Sequence, residues 1–376
     1  MTGFMRLLLV ALASFFINHA SAANAAPSAG AGAGASAIEQ AAEKIDPYVA
    51  RFGRTRPVIA VLGENEGTVL PDYAIPYGVL SQSGVADVVS LATKAGVLKL
   101  PPLQINPDSS VSEFDRRYPD GADYVIVPAM GKRDDPTLIA WVIAQSAKGA
   151  TMVSICNGSL VLAQAGLTRG HRATGHWSTH KARVKDFPDT RWAANTRYVA
   201  DRKIVSSAGI TAAIPVSLAL VEAIGGTQRA QALAEQLGVG YWGPRHNSDA
   251  FKFKAGDFAR LGGTFLQGRD DIGVPVAAGV DEIALSLTAE AYWTTRRSNV
   301  YAVAGSAAPV KTRNGLMLVP DLVAGQGKQM DLMLPEFDAT PSAHALEKVL
   351  KDISVKYGAP AARFVTLDWE YEWQGK

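Results

Sequence analysis

The sequence predicts an α/β protein: a doubly wound, mostly parallel sheet followed by a second, degenerate α/β repeat. Short continuous apolar runs such as Val58-Ile59-Ala60-Val61-Leu62 and Tyr124-Val125-Ile126-Val127 suit strands buried on both faces. They alternate with helical stretches at βαβ spacing. Segments of the C-terminal third also echo segments of the first half. With 48% hydrophobic and 19% charged residues, the chain can fill a large core. A net charge of +2 without any Lys/Arg stripe gives no footing for a nucleic-acid partner.

Taken in order, Arg6, the apolar run Leu7 to Ile17 and Ala20-Ser21-Ala22 form a secretory signal peptide over residues 1–22. The run is too short for a membrane span of about 20 apolar residues, so no stable span is expected after cleavage. The mature chain then begins near Ala23 and is periplasmic or secreted. Residues 23–54 read as an Ala/Gly/Ser-rich linker with a short helix from Ile38 to Phe52. The main domain covers 55–245, with strands at Val58–Leu62, Val88–Thr93, Asp123–Pro128, Met152–Ile155 and Ile204–Ser207. Helices are expected over Pro76–Ser83, Pro136–Lys148, Leu160–Ala165 and Pro215–Ile224, the last stopped by Gly225-Gly226. Residues 246–273 read as a linker and 274–376 as the second unit. There Val300–Ala304 and Leu316–Asp321 parallel Val89–Thr93 and Leu103–Asp108, and Gly358–Trp373 echoes Gly226–Trp242.

Cys156 is the only cysteine, so no disulfide within the chain accounts for it. It lies in Ser154-Ile155-Cys156-Asn157-Gly158-Ser159, where an apolar strand gives way to a helix. A sharp turn there places the side chain at the carboxyl edge of the sheet, where open α/β folds bind ligands. The adjoining helix N-terminus favours thiolate over thiol. A buried structural cysteine would show the same local pattern. His176 returns to the same edge after a helix and a turn, either as a partner of the thiol or as a strand cap. Asp72 follows the first strand and reads as a proton relay or a helix cap, with Glu64 and Glu66 as rival acids. His171 and His180 read as surface residues.

The run Cys156-Asn157-Gly158-Ser159-Leu160-Val161-Leu162-Ala163-Gln164-Ala165-Gly166-Leu167, with Ala173-Thr174-Gly175-His176-Trp177 and Ser207-Ala208-Gly209-Ile210, resembles the PfpI/ThiJ family over roughly residues 57–242. The nearest branch joins isonitrile hydratase with the sensing domains of AraC-type regulators. The resemblance implies a flavodoxin-like sheet of the class I glutamine amidotransferase type. It also implies an acid four residues before a proline, matched by Asp72 and Pro76, an elbow cysteine at Cys156 and, in many members, a histidine at His176. Asn157 stands where the family commonly has Thr or Ala. Pro128-Ala129-Met130-Gly131 replaces a Pro-Gly-Gly turn, so backbone donors near Met130 or Gly131 would join the N–H of Asn157 in an oxyanion site, with Gly158 allowing the tight turn.

The function expected is an exported cysteine-dependent enzyme acting on a small molecule, by hydratase or amide-type hydrolase chemistry. Cys156 would be the nucleophile, Asp72 the relay and His176 the group that holds or polarises thiol or substrate. The alternative is a non-catalytic ligand-binding or redox-sensing protein using the same pocket. No metal-ligand cluster or phosphate-binding glycine loop is visible, so no cofactor or metal is expected. A homodimer and an intramolecular pseudo-dimer are both open. Transcriptional regulation would need a helix-turn-helix module, whereas the tail reads as strand-rich.

Overall fold

The computed structural model describes residues 43–254, 257, 268–373 and 375. The stretch expected as a signal peptide, residues 1–22, and most of the expected linker after it lie outside them. Residues 43–54 are described and carry no helix. Pro47 disfavours helical backbone at Asp46, and the segment is instead pinned against the main domain. Glu43 accepts from Ala200 N–H at 2.8 Å, while Arg51 and Arg54 both reach Asp123.

The main sheet is built from β1 (Val58–Gly63), β2 (Asp87–Ala92), β5 (Ser109–Ser110), β6 (Tyr124–Val127), β7 (Thr151–Ser154), β10 (Tyr198–Asp201) and β11 (Ile204–Ser207). Their order is β10-β11-β7-β6-β1-β2-β5, parallel except for the β10–β11 hairpin. Between them lie β3 (Leu98–Leu100), β4 (Leu103–Asn106) and the short pair β8 (Arg172–Ala173) and β9 (Arg191–Trp192). The helices are α1 (Leu70–Ser83), α2 (Val111–Arg117), α3 (Pro136–Ala147), α4 (Gly158–Gln164), α5 (His180–Asp186), α6 (Ala213–Gly225) and α7 (Thr227–Leu237). Side chains alternate across β1. Ile59 and Val61 enter the core that includes residues of α1 and α6, whereas Val58, Ala60 and Leu62 face the core that holds Phe114, Leu138 and Trp141.

Helix α1 begins six residues before the Pro76 start expected from sequence. Pro71 occupies its first turn, where a missing N–H costs nothing, and Pro76 lies inside it. Pro76 cannot donate to the carbonyl of Asp72 four residues earlier, which loosens the helix at that acid. Helix α2 opens with a capping box in which Ser110 and Glu113 bond reciprocally.

The C-terminal unit comprises β12 (Asp270–Pro275), α8 (Glu282–Thr294), β13 (Ser298–Ala304), β14 (Val310–Lys311), β15 (Met317–Leu318), β16 (Leu322–Val323), β17 (Leu332–Met333), α9 (Ala345–Tyr357) and α10 (Ala359–Trp369). β12 begins within the stretch expected as linker. The order β16-β13-β12-β17 matches β5-β2-β1-β6. Side-chain bonds recur as well. Asp108 Oδ2 accepts from Ser90 N–H at 2.9 Å, and Asp321 Oδ2 from Ala302 N–H at 2.8 Å. Asp123 Oδ2 accepts from Val58 N–H at 2.9 Å, and Asp331 Oδ2 from Asp271 N–H at 2.8 Å. The two units share a core: Ile59 and Leu218 belong to the same cluster as Leu285, Leu350 and Trp369. They also share a sheet, β14-β15-β4-β3, through Leu318 opposite Ile105. Helices α1 and α8 pack closely enough that a Cβ on Gly78 would lie 2.8 Å from Glu282 Oε1.

Candidate active site

β7 ends at Ser154, and the chain turns through Cys156 into α4. Cys156 has φ 56, a left-handed conformation that costs a non-glycine residue about 1 kcal/mol and is typical of a nucleophile elbow. The turn is held by Gly158 N–H donating to Ile155 O at 2.8 Å and Ser159 Oγ to Cys156 O at 3.1 Å. Helix α4 approaches β6 so closely that a Cβ on Gly158 would stand 1.9 Å from Val127 O. Only glycine fits there.

Asp72 enters from the first turn of α1 and is fully buried. It caps nothing. Its Oδ2 accepts from Ala129 N–H at 3.1 Å, while Oδ1 makes no conventional hydrogen bond. The Cys156 thiol is its other polar neighbour. Burial pushes the Asp72 carboxyl up to about 7, against the opposing pull of Ala129 N–H and the thiol. Burial also raises Cys156 well above its ordinary value, and the Asp72 charge adds to this; the Asn157 N–H opposes it. The expected thiolate bias from the α4 terminus is therefore overturned, because a short helix end contributes less than desolvation removes. Of the rival acids, Glu66 is paired with Lys99 at the surface, and Glu64 is buried but accepts from Glu66 N–H.

His176 is buried, yet both ring nitrogens are engaged away from the thiol. Nε2 lies 2.6 Å from the Asp368 carbonyl oxygen, which can only accept, so Nε2 carries the proton. Nδ1 then accepts from the Ser178 hydroxyl at 2.7 Å. His176 thus ties the elbow side of the sheet to α10.

The backbone donors divide in a similar way. Gly131 N–H is spent on Gly67 O at 2.8 Å, and Gly158 N–H closes the turn. Met130 forms an isolated antiparallel bridge with Thr68 flanked by the Val69–Ala129 and Gly131–Gly67 bonds, so its own N–H points away from that strand. Asn157 N–H faces the sulfur, and its Oδ1 accepts from Thr179 Oγ1 at 2.7 Å.

Three residues had no local signature in the sequence. Arg183 is buried, donating to His176 O at 2.7 Å and Gly175 O at 3.1 Å, and it also bonds Thr179. Burial lowers it to about 10, opposed by Cys156 when ionised and by the Glu370 charge, so it stays cationic at neutral pH. Glu290 of α8 is buried with Oε2 unpartnered, and burial raises it to about 8, opposed by Arg296 and assisted by Asp72. Glu370 follows α10 and accepts from Ser248 Oγ at 2.7 Å and His246 Nε2 at 2.5 Å. Among the described residues no cluster of three or more His, Cys, Asp or Glu could hold a metal ion, and no helix is long and apolar enough to cross a membrane.

A parallel α/β sheet with a left-handed cysteine elbow facing a buried acid defines a class of proteins. Residues 59–223 match the sequence model of the DJ-1/PfpI family, and the chain carries a domain of that family there. It is similar to isonitrile hydratase of Pseudomonas putida, 36% identical over 106 residues, which are 28% of this chain and 44% of the hydratase. It is also similar to the HTH-type transcriptional regulator CdhR of Pseudomonas aeruginosa, 35% identical over 112 residues, 30% of this chain and 33% of the regulator. The matches span less than half of these relatives. Among solved structures, Drosophila melanogaster DJ-1beta covers 50% of this chain and all of its own, with 22% identity and a TM-score of 0.45. An AraC family transcriptional regulator from Pseudomonas putida covers 48% of this chain and 98% of its own, with 19% identity and a TM-score of 0.42.

Proposed function

We propose that the protein is an exported, cysteine-dependent enzyme acting on a small electrophile, by hydration of an isonitrile or hydrolysis of an amide-like bond. The observation that carries this reading is the buried Asp72 carboxyl, titrating near neutrality, beside the Cys156 thiol. With the thiol raised, a standing thiolate is disfavoured. Cys156 Sγ would instead attack the electrophilic carbon as its proton passes to ionised Asp72. The protonated Asp72 would then return that proton to the substrate. With an isonitrile, an S–C bond forms and the same carbon is protonated, giving a thioimidate. Water adds to that carbon and the thiol leaves with its proton, releasing an N-substituted formamide. The N–H groups of Asn157 and Met130 would be the donors that hold developing negative charge.

In this reading His176 is a strut between the elbow and α10, not the base. The C-terminal unit, which shares a core and a sheet with the main domain, would take the place of a second subunit and make the chain an intramolecular pseudo-dimer with one cysteine site. Mature protein beginning near Ala23 would be recovered from a periplasmic fraction, and N-terminal sequencing of that fraction checks it.

The test is turnover on a panel of isonitriles and amides. Cys156→Ser and Asp72→Asn are each expected to lose at least about 100-fold in kcat/KM on any active substrate. Wild-type turnover by Cys156→Ser would overturn the reading. Tight binding without turnover would favour a ligand-binding role, supported by the similarity to CdhR.

A further inference from the structure

Helices α7 and α10 start behind glycines of nearly the same backbone, Gly226 (φ 84, ψ 164) and Gly358 (φ 89, ψ 157), and each runs for 11 residues. Both end in a left-handed residue. After α7 this is Gly238 (φ 77, ψ 31); after α10 it is Glu370 (φ 59, ψ 46). Glycine adopts that conformation without a steric penalty, and glutamate does not. The two helix ends also meet the opposite unit in exchanged fashion. A Cβ on Gly238 would lie 2.7 Å from His344 Nε2, whereas Glu370 fills the space beside Gly209, whose Cβ would lie 3.0 Å from Glu370 Oε1.

Glu370 is 3% exposed, and its side chain is satisfied by the main domain and the segment after it. Oε2 accepts from His246 and Ser248, and Oε1 from Trp177 N–H at 3.4 Å. Neighbouring carbonyls reinforce the contact. Trp177 Nε1 donates to Leu367 O at 3.1 Å, and Thr211 Oγ1 to Glu370 O at 3.0 Å. The segment so held continues to Thr179, which donates to Asn157 next to the cysteine.

We propose that Glu370 is a positioning residue of the Cys156 site, supplied by the second unit to fix the 176–179 turn and, through Thr179, Asn157 beside the thiol. The inference rests on Cys156 as the reacting atom. A glycine in this place, as at Gly238, would relieve the backbone but deliver no carboxylate. Glu370 is held ionised by His246 and Ser248, and its charge is among those that raise the thiol.

The experiment is alkylation of Cys156 by iodoacetamide across pH, on full-length protein shown by circular dichroism to be folded, for wild type, Glu370→Ala and Glu370→Gln. Glu370→Ala is expected to react about tenfold faster at a fixed pH, because the turn is released. Glu370→Gln keeps one acceptor oxygen, enough for His246 and Ser248, but not the charge. It should hold the wild-type rate at high pH while its midpoint moves to lower pH. A folded Glu370→Ala with the wild-type rate and midpoint would overturn the proposal. If Glu370→Ala does not fold, Ser248→Ala and Glu370→Gln decide, and wild-type profiles in both would overturn it. Alkylation requires no turnover, so failure on every isonitrile and amide would count against the proposed activity and leave this readout intact.

Discussion

Asp72 and Cys156 are brought together from the first turn of α1 and the turn after β7, and the carboxyl shares its two polar neighbours between Ala129 N–H and the thiol. Both groups are buried, and both are pushed toward their protonated forms. At neutral pH the thiol keeps its proton, while the carboxyl sits near its midpoint.

The raised Asp72 carboxyl makes stability depend on pH. The folded protein keeps this proton up to about 7, whereas the unfolded chain loses it near the ordinary carboxylate value. The stabilising contribution is therefore complete at low pH and is lost as pH rises from about 4 through 7, with an upper bound of roughly 4 kcal/mol. In thermal melts Asp72→Asn should be more stable than wild type at pH 8, and the advantage should vanish at pH 4. An advantage of equal size at both pH values would contradict the burial of a titrating Asp72.

Gly158→Ala should destabilise the elbow severely. The added Cβ would meet a backbone oxygen, which cannot swing aside. Overpacking of this kind costs about 3 kcal/mol or more, read as a drop in Tm and in denaturant midpoint.

Arg183→Met should cost about 2–4 kcal/mol, because buried acceptors at Gly175, His176 and Thr179 lose a charged donor. Chemical denaturation measures this. A Thr179→Val, Arg183→Met double variant should lose less than the sum of the single changes, since the two residues bond each other.

The His176 assignment separates strut from base. His176→Gln can still donate to the Asp368 carbonyl, so it should preserve the pH dependence of Cys156 alkylation. His176→Ala should lower Tm. A Gln variant that loses the pH dependence while staying folded would restore a direct role for the imidazole.

The order of strands and crossovers was legible because β1, β6 and β7 are buried on both faces and read as unbroken apolar runs. Gly158 was offered by the tight strand-to-helix turn, and Asp72 by its place between the first strand and a helix, with Glu64 and Glu66 as rivals until the family resemblance favoured it. Strands β3, β4 and β10 were missed, since their short runs are broken by polar residues such as Lys99, Gln104 and Asp201, whereas β11 was expected at Ile204–Ser207. Arg183, Glu290 and Glu370 were missed for a different reason. Each is buried by elements far along the chain, and as single residues they look like ordinary helix-surface or helix-end charges. The pairing of His176 with Asp368 is likewise invisible locally, because its partner is a backbone carbonyl far along the chain.

The coupling of Cys156 to Asp72 is tested most directly by the pH dependence of Cys156 alkylation in wild type and Asp72→Asn. Wild type should react slowly at pH 7 and accelerate only above the ordinary thiol range of about 8.5. Removing the Asp72 charge removes a cause of the raised thiol, so the Asp72→Asn profile should move to lower pH. Superimposable profiles, or a wild-type thiol already fully reactive at pH 6, would contradict the account.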